Sequence, residues 1–161
     1  MNLIAKLLAP ANIVLDLEVS SKKRMFEQIG LLFENNQGIA RSLVFESLFA
    51  RERLGSTGLG QGVAIPHGRI KSLRDSVGAF VRLKEPVPFD SPDGLPVSLV
   101  FVLLVPEKAT EHHLQVLSEL AQMFSDIALR QQLAGAPDAS TLHQYITAWQ
   151  PYVADEHRAT L

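Results

Sequence analysis

Apolar residues recur every three or four positions in two segments of the first third of the chain, and this period predicts two amphipathic helices. The first segment, SSKKRMFEQIGLLFENN, opens with hydroxyl side chains suited to helix capping, and Asn36 to Gly38 interrupt its pattern. The second segment, ARSLVFESLFARERL, ends before Gly55, a residue type that commonly follows a helix C-terminus. The residues predicted to face inward are Met25, Ile29, Leu32 and Phe33 on the first helix, and Val44 and Leu48 with Phe45 and Phe49 on the second.

Three segments in the middle of the chain have the composition of β-strands. VAIPH and VGAFVRL are separated by a polar turn around residues 71–75, and SLVFVLLV is apolar throughout, as a central strand covered on both faces would be. EPVPFDSPDGLPV contains four prolines and an Asp-Gly pair, which predicts a long, stiff loop. The opening segment, MNLIAKLLAPANIVL, is predicted to form a short helix packed against the body of the protein.

The last third of the chain is predicted to be helical. Thr110 is placed to cap a long helix, and shorter helices are predicted over residues 126–134 and 139–149. Residues 151–161 are predicted to be a flexible C-terminal tail. The apolar stripe predicted for the long helix consists of Leu114, Leu117, Ala121 and Phe124.

The order of these elements predicts a single α/β domain over residues 1–150, with a small mixed β-sheet flanked by helices on both sides. Two helices come first, three strands follow, and the remaining helices come last. This order differs from the regular strand–helix alternation of a doubly wound nucleotide-binding fold. We therefore expect a mixed sheet.

Composition and charge exclude several classes of function. The chain has 161 residues, a net charge of −2 and no cysteine. The absence of cysteine excludes disulfides and thiolate chemistry and fits a cytoplasmic protein, and the small net charge argues against nucleic acid as the main partner. The opening segment lacks the unbroken apolar core of a signal peptide, and the longest apolar run is far shorter than the about 20 residues of a membrane-spanning helix. We therefore expect no membrane insertion.

The segment GSTGLGQGVAIPHG, residues 55–68, is rich in glycine but fits no common glycine motif. Val63 or Ile65 stands where a dinucleotide fingerprint needs its third glycine, and Gln61 stands where a P-loop needs lysine. The Gly-x-Ser-x-Gly pattern of a nucleophile elbow is also missing. What remains is a compact turn whose backbone N–H groups can bind an anion.

His67 ends this segment in a position that favours a functional role. Pro66 restricts the backbone before it, and Gly68 is expected to let the chain turn away and leave the imidazole uncovered. An ordinary histidine pKa of about 6.5 leaves the ring mostly neutral near pH 7. A neutral imidazole nitrogen is a competent nucleophile.

The segment from Arg51 through Gly68, RERLGSTGLGQGVAIPHG, closely resembles the EIIA domains of the fructose/mannitol class of the bacterial phosphotransferase system. The resemblance continues in VGAFVRLKEPVPFDSPDGLPVSLVFVLLVPEKATEHHLQVLSELAQMF and covers about residues 3–148. Within that class the chain is most similar to the stand-alone, nitrogen-regulatory branch. A sugar-specific EIIA that feeds a fructose or mannitol permease is the alternative.

The resemblance implies a mixed sheet with helices on both sides and a phosphoryl carrier without metal or other cofactor. The phosphoryl group would come from a phosphohistidine on an HPr/NPr-like carrier protein, and the further partners would be regulatory target proteins. The site residues that it implies are His67, phosphorylated on Nε2, with His113 and Arg51 beside it and Ser56 and Thr57 in the phosphoryl-binding turn. These residue types suit the chemistry, because a phosphoryl group in transfer needs positioned hydrogen-bond donors.

The sequence leaves open the roles of some site residues and two alternative functions. Ser56 and Thr57 could serve only to cap and turn the chain, and alignment alone selects His113 over its neighbour His112. A binding protein without phosphoryl transfer is one alternative. A metal-dependent hydrolase using His67, His112 and His113 is another, although adjacent helical side chains project about 100° apart and do not readily share an ion. The surface expected to receive the carrier consists of Leu59, Val63 and Ile65.

Overall fold

The computed structural model describes residues 2–108 and 111–150. The predicted cap at Thr110 and the predicted tail over residues 151–161 lie outside the described residues. The strands are β1 (Leu8–Leu17), β2 (Gly58–Gly60), β3 (Val63–Ala64), β4 (His67–Ile70), β5 (Val77–Val87) and β6 (Val97–Pro106). The helices are α1 (Lys22–Gln37), α2 (Arg41–Glu52), α3 (Glu111–Ser125), α4 (Ile127–Gly135) and α5 (Ala139–Ala148), preceded by a 3-10 turn over Leu3–Lys6.

The strands form one mixed sheet in the order β1-β5-β6-β3-β2, and β4 also pairs with β6. Strands β5 and β6 are antiparallel, whereas β1 runs parallel to β5, and β3 and β4 run parallel to β6. Strand β6 is therefore central, and its residues from Leu99 to Val105 are buried. This confirms the interpretation of SLVFVLLV as a strand covered on both faces.

The alternating side chains of β6 contribute to two separate hydrophobic cores. Phe101 and Leu103 belong to the core that α3, α4 and α5 cover. Val102 and Leu104 belong to the core that α1 and α2 cover. The predicted fold class, a single α/β domain with a mixed sheet flanked by helices on both sides, is confirmed.

The helices predicted around the sheet form close to their expected bounds. Ser21 caps α1 by accepting a hydrogen bond from the backbone of Arg24, and Gly38 ends it with a left-handed φ of 70°. Helix α2 ends at Glu52, and α4 and α5 match the two short helices predicted near the C-terminus. No helix in the described part of the chain is sufficiently long and apolar to cross a membrane.

The prediction of a helix at the start of the chain is wrong beyond its first turn. The 3-10 turn is followed by the ten-residue strand β1, which lies at the edge of the sheet and pairs only with β5. Pro10 and Asn12 lie where the register between Leu8 and Ile13 is interrupted. An edge strand tolerates proline because one side of its backbone has no partner strand.

Two further predictions differ from the structure. The loop predicted for residues 85–97 is shorter, because β5 continues through Val87. The apolar stripe predicted for α3 is correct in part: Phe124 is buried and Leu117 packs against the core, but Leu114 is 60% exposed and Ala121 is exposed as well. The α3 residues that reach the core are Val116, Leu120, Met123 and Phe124. The helix carries apolar residues on more than one face, and contact with the sheet decides which face is buried.

Candidate functional site

The candidate site lies where the C-terminal end of α2 meets the start of β4. His67 is the first residue of β4 and pairs with Leu103 of the central strand. The backbone N–H of Leu103 also donates to the carbonyl of Pro66, at 3.0 Å. The imidazole is thereby attached to a rigid element and is half-buried.

The contacts of the His67 ring determine its neutral tautomer. Nδ1 lies 2.9 Å from the carbonyl oxygen of Ile65, which can only accept a hydrogen bond, so Nδ1 carries the proton. Nε2 lies 3.3 Å from Nε of Arg51, which can only donate. The lone pair of Nε2 is therefore directed toward the guanidinium group.

The surroundings of His67 also favour its neutral form. Burial lowers the pKa of His67 below the ordinary value of 6.5. The hydrogen bond to the Ile65 carbonyl opposes this shift, while the positive charges of Arg51 and His113 add to it. The negative charge of Glu52 acts in the raising direction. The net lowering of the pKa keeps an unprotonated nitrogen available at neutral pH.

Arg51 bridges the imidazole and the glycine-rich turn. Besides its contact with His67, it donates from Nη1 to the carbonyl of Gly55 at 2.8 Å. The guanidinium is planar and stays charged, so these two contacts fix its orientation. Arg51 therefore presents donors to the space next to Nε2 of His67.

Gly68 has a different role from the one expected. It does not turn the chain away but is buried in β4, where a Cβ atom would lie 2.2 Å from Oγ and 3.1 Å from the backbone carbon of Ser47. Ser47 itself donates to the carbonyl of Arg69 at 2.9 Å. The glycine thus allows α2 to approach β4 closely. Arg51 lies one helical turn after Ser47, so this approach brings Arg51 to His67.

The two hydroxyl residues of the turn are engaged within the protein. Ser56 Oγ donates to the carbonyl of Phe89 at 2.5 Å and accepts from the backbone N–H of Gly58 at 3.0 Å. Thr57 is buried, and its Oγ1 donates to Glu52 Oε1 at 2.6 Å. Both contacts favour a role in shaping the turn.

The two histidines at the start of α3 differ in their surroundings. His113 is half-buried, and its charge influences the pKa of His67. His112 is exposed. In residues 2–108 and 111–150, no group of three or more His, Asp or Glu side chains converges as metal ligands would.

The expected apolar surface around His67 is only partly present. Leu59 is 45% exposed, but Val63 and Ile65 are buried in the core and are not available to a partner. Two exposed leucines next to site residues were not predicted to be part of this surface: Leu54, directly before the glycine-rich turn, and Leu114, directly after His113. Their position next to site residues is the signal that could have identified them.

Glu52 is a further residue near the site that sequence reasoning missed. Its position directly after Arg51 was visible in the sequence. Its burial was not visible in the sequence, because the turn that follows covers the end of α2 only in the folded structure. Among the described residues, Glu52 is the one acidic residue that is buried.

Comparison with known proteins shows extensive similarity. Residues 6–149 match the family described as "Phosphoenolpyruvate-dependent sugar phosphotransferase system, EIIA 2". The nitrogen regulatory protein of Pseudomonas aeruginosa is 43% identical over 150 residues, which cover 89% of this chain and 94% of that protein.

Two solved structures share the fold. The nitrogen regulatory protein IIA-Ntr from Neisseria meningitidis is 54% identical, with a TM-score of 0.86 and coverage of 90% of this chain and 99% of that one. The mannitol IIA protein from Escherichia coli has a TM-score of 0.72 over 86% of this chain and 97% of that one. At 20% identity, this second likeness concerns the fold alone.

Proposed function

Because the chain belongs to the EIIA 2 family of the phosphoenolpyruvate-dependent sugar phosphotransferase system, we propose that it is a phosphoryl carrier of the nitrogen-regulatory branch. It accepts a phosphoryl group on Nε2 of His67 from a phosphohistidine of an HPr/NPr-like protein, and its phosphorylation state controls its action on target proteins. The resemblance found in the sequence is thereby confirmed at the level of the family and of its nitrogen regulatory members. The exchange takes place in the cytoplasm and requires no nucleic acid.

The observation that carries this proposal is the orientation of the His67 ring. Its Nδ1 proton is held by the Ile65 carbonyl, so the lone pair for attack is on Nε2. In the transfer, a bond forms between this lone pair and phosphorus, and the N–P bond to the carrier breaks with its electron pair remaining on the carrier nitrogen. No proton has to leave Nε2 first, and the Nδ1 proton stays in place.

Arg51 and His113 serve as donors to the phosphoryl oxygens. Negative charge spreads over three equatorial oxygens during transfer, so positioned cationic donors stabilise that state more than they stabilise the reactants. Arg51 approaches from α2 and His113 from α3. The phosphoryl group therefore enters between elements that belong to the two helical layers of the fold.

The glycine-rich turn completes the proposed site. Ser56 is half-buried and directly follows Gly55, whose carbonyl binds Arg51, so Ser56 remains in the proposal as a residue beside the phosphoryl group. Thr57 contributes by holding the turn, because its hydroxyl is committed to Glu52.

Sequence identity favours the regulatory function over the sugar-specific alternative. The chain is 43% identical to the nitrogen regulatory protein of Pseudomonas aeruginosa and 34% identical to the fructose-specific EIIABC component of Bacillus subtilis. We therefore assign it to the regulatory branch. Rapid phosphoryl transfer from this chain to the IIB domain of a fructose or mannitol permease would instead favour the alternative.

The surface proposed to receive the carrier consists of Leu54, Leu59 and Leu114, which are all exposed. Leu54 directly precedes the glycine-rich segment, Leu59 lies within it in β2, and Leu114 follows His113. A transient protein exchange suits an interface of about 1,200 Å² or less, since the carrier must leave after transfer.

Labelling from a phosphorylated HPr-type carrier tests the proposed function. We expect His67→Ala to accept no phosphoryl group while it stays folded, and the matched variant His112→Ala to accept it at the rate of the unmodified protein. Acid-labile, alkali-stable label is quantified after quenching. Labelling of folded His67→Ala protein would move the phosphorylated residue elsewhere, and an unlabelled unmodified protein would refute the function.

A further inference from the structure

We propose that Glu52 is a positioning residue that sets the orientation of both ring nitrogens of His67, a role that rests on the function proposed above. Glu52 is not itself a phosphoryl-binding group, since its carboxylate is negative and buried beneath the turn. It acts through the groups that it holds.

The carboxylate of Glu52 is fully engaged by donors from two other segments. Oε1 accepts from the Thr57 hydroxyl at 2.6 Å, and Oε2 accepts from the Thr57 backbone N–H at 3.1 Å and from Lys22 Nζ at 2.9 Å. Burying a charged pair brings little net stability, because the desolvation cost offsets the attraction. Its presence here favours a role in fixing the geometry of the turn.

A continuous line of hydrogen bonds leads from Glu52 to Nδ1 of His67. Glu52 binds Thr57, and the carbonyl of Thr57 accepts from the backbone N–H of Ile65 at 3.0 Å. The carbonyl of Ile65 then accepts the Nδ1 proton at 2.9 Å. Thr57 therefore holds the backbone of Ile65, the residue whose carbonyl selects the reactive tautomer.

A second connection leads from Glu52 to Nε2 of His67. Glu52 is the last residue of α2, and its neighbour Arg51 contacts Nε2 at 3.3 Å. The carbonyl of Glu52 accepts from the N–H of Gly55, whose own carbonyl accepts from Arg51. Fixing Glu52 therefore also fixes the last turn of the helix that presents Arg51.

Lys22 extends this network to the loop that follows β5. Its Nζ donates to the Phe89 carbonyl at 3.2 Å and lies 4.5 Å from the centre of the Phe89 ring. The same carbonyl accepts from Ser56 Oγ. The start of α1, the end of α2, the glycine-rich turn and the loop after β5 thus meet at one ion pair.

The charge of Glu52 has a separate, electrostatic consequence. The charged groups acting on His67 are Arg51 and Glu52 from α2 and His113 from α3, and only Glu52 is negative. Its charge raises the pKa of His67, against the effects of burial and of the two cations. Removing the charge of Glu52 should therefore lower the pKa of His67 further, whereas shortening its side chain leaves the charge in place and should change that pKa less.

The test compares Glu52→Gln, which keeps the shape but removes the charge, with Glu52→Asp, which keeps the charge but shortens the reach. Glu46→Gln, at an exposed position on the same helix, is the matched control. Phosphoryl transfer is measured at increasing carrier concentration, and the His67 ring is titrated by NMR in the free protein.

We expect both Glu52 variants to lower kcat for transfer by about 10- to 100-fold, with KM for the carrier unchanged. The His67 titration should move to lower pH in Glu52→Gln and stay closer to the unmodified protein in Glu52→Asp. Glu46→Gln should match the unmodified protein in all measurements. A general loss of folded protein would also lower the apparent kcat at unchanged KM, so rates are referred to the folded fraction, and the shifted titration of His67 is the result that loss of folded protein would not produce.

Folded Glu52→Gln with the kcat and His67 titration of the unmodified protein would overturn the inference but leave the proposed function intact. An effect on KM alone would also overturn it, because Glu52 would then act on docking. If the unmodified protein accepts no phosphoryl group, the proposed function fails, and an unchanged titration in Glu52→Gln removes the positioning role as well.

A second pair of variants is used if Glu52→Gln does not fold. We then expect Thr57→Val, which lacks the hydroxyl that binds Glu52, to have a lower kcat, and Thr57→Ser, which keeps it, to have the kcat of the unmodified protein. Equal activity of these two variants overturns the inference.

Discussion

Helices α1 and α2 are tied to the rest of the protein by polar groups at two ends, and these two ends differ in chemistry. At the end near His67, the partly buried Lys22 and the buried Glu52 form an ion pair. At the far end, the amide side chain of Asn12 in β1 donates to the carbonyl of Gly78 and accepts from Asn36 of α1. Both clusters join helices to neighbouring segments. The first is linked to the His67 ring by hydrogen bonds, whereas the second reaches His67 only through the backbone of the sheet, where Gly78 and His67 both pair with Leu103.

The difference shows how a charged cluster of side chains and a neutral one differ in their effect on His67. Hydrogen bonds of the amides around Asn12 act over contact distance and hold the edge strand in place. The charges near His67 act over a longer range and change the protonation equilibrium of the ring. We therefore expect substitutions at the near end to alter transfer, and substitutions at the far end to alter stability alone.

The largest effect is expected when the contact between α2 and β4 is widened. In Gly68→Ala, the new methyl group collides with Ser47, so α2 must shift and Arg51 moves away from His67. Transfer should fall by about 10- to 100-fold, since small misplacements of reacting groups have effects of this size. Rapid-quench transfer from a phosphorylated carrier measures it.

Gly135→Ala is the control for this variant, because a Cβ there meets no atom within 4 Å. Ser47→Gly added to Gly68→Ala removes the colliding side chain but leaves the backbone carbon of residue 47 at 3.1 Å, so it should recover part of the rate. Unchanged transfer in folded Gly68→Ala would show that the close approach of α2 is not required.

A smaller effect, on stability and not on phosphoryl transfer, is expected at the far end, around Asn12. Asn12→Ala removes the amide that joins α1 to β1 and leaves the buried carbonyl of Gly78 without this donor. The free energy of unfolding should fall by about 1–3 kcal/mol, measured by urea denaturation. The rate of phosphoryl transfer should stay that of the unmodified protein.

Asn35→Ala, at an exposed position on α1, is the control for the far end and should unfold like the unmodified protein. A loss of transfer in folded Asn12→Ala would break the distinction between the two ends, because it would show that the far end also reaches His67.

The smallest effect concerns pH. Because burial, Arg51 and His113 together lower the pKa of His67, its NMR titration should have a midpoint below 6.5. The unfolded chain then binds the proton more readily than the folded one, so this group reduces stability as pH falls through that range. Asn12→Ala should keep the midpoint of the unmodified protein, and a midpoint at or above 6.5 would contradict the prediction.

The success of the sequence predictions depended on whether a feature is local. The caps and ends of α1, the apolar run of β6 and the short helices α4 and α5 follow from neighbouring residues, and each was found. The face of α3 and the edge strand β1 depend on which surface the sheet offers; the face was predicted only in part, and the strand was missed. Leu114 and Ala121 satisfy a helical period as well as Val116 and Leu120 do, so the period could not choose between them.

By itself, the sequence determined the mixed α/β fold and identified a stiff, glycine-rich segment that ends in a histidine, because backbone restrictions and hydrophobic periods are encoded in adjacent residues. Only the tertiary structure decided that Ser47 packs closely against Gly68, that Glu52 is buried and that Nδ1 of His67 faces the carbonyl of Ile65. The approach of Ser47 to Gly68 depends on how α2 packs against β4, the burial of Glu52 depends on how the turn closes over that helix end, and the contact of His67 with Ile65 depends on the backbone conformation that pairing with β6 imposes. Packing depends on shape and on the satisfaction of buried polar groups across the whole domain, and no short stretch of sequence contains that information.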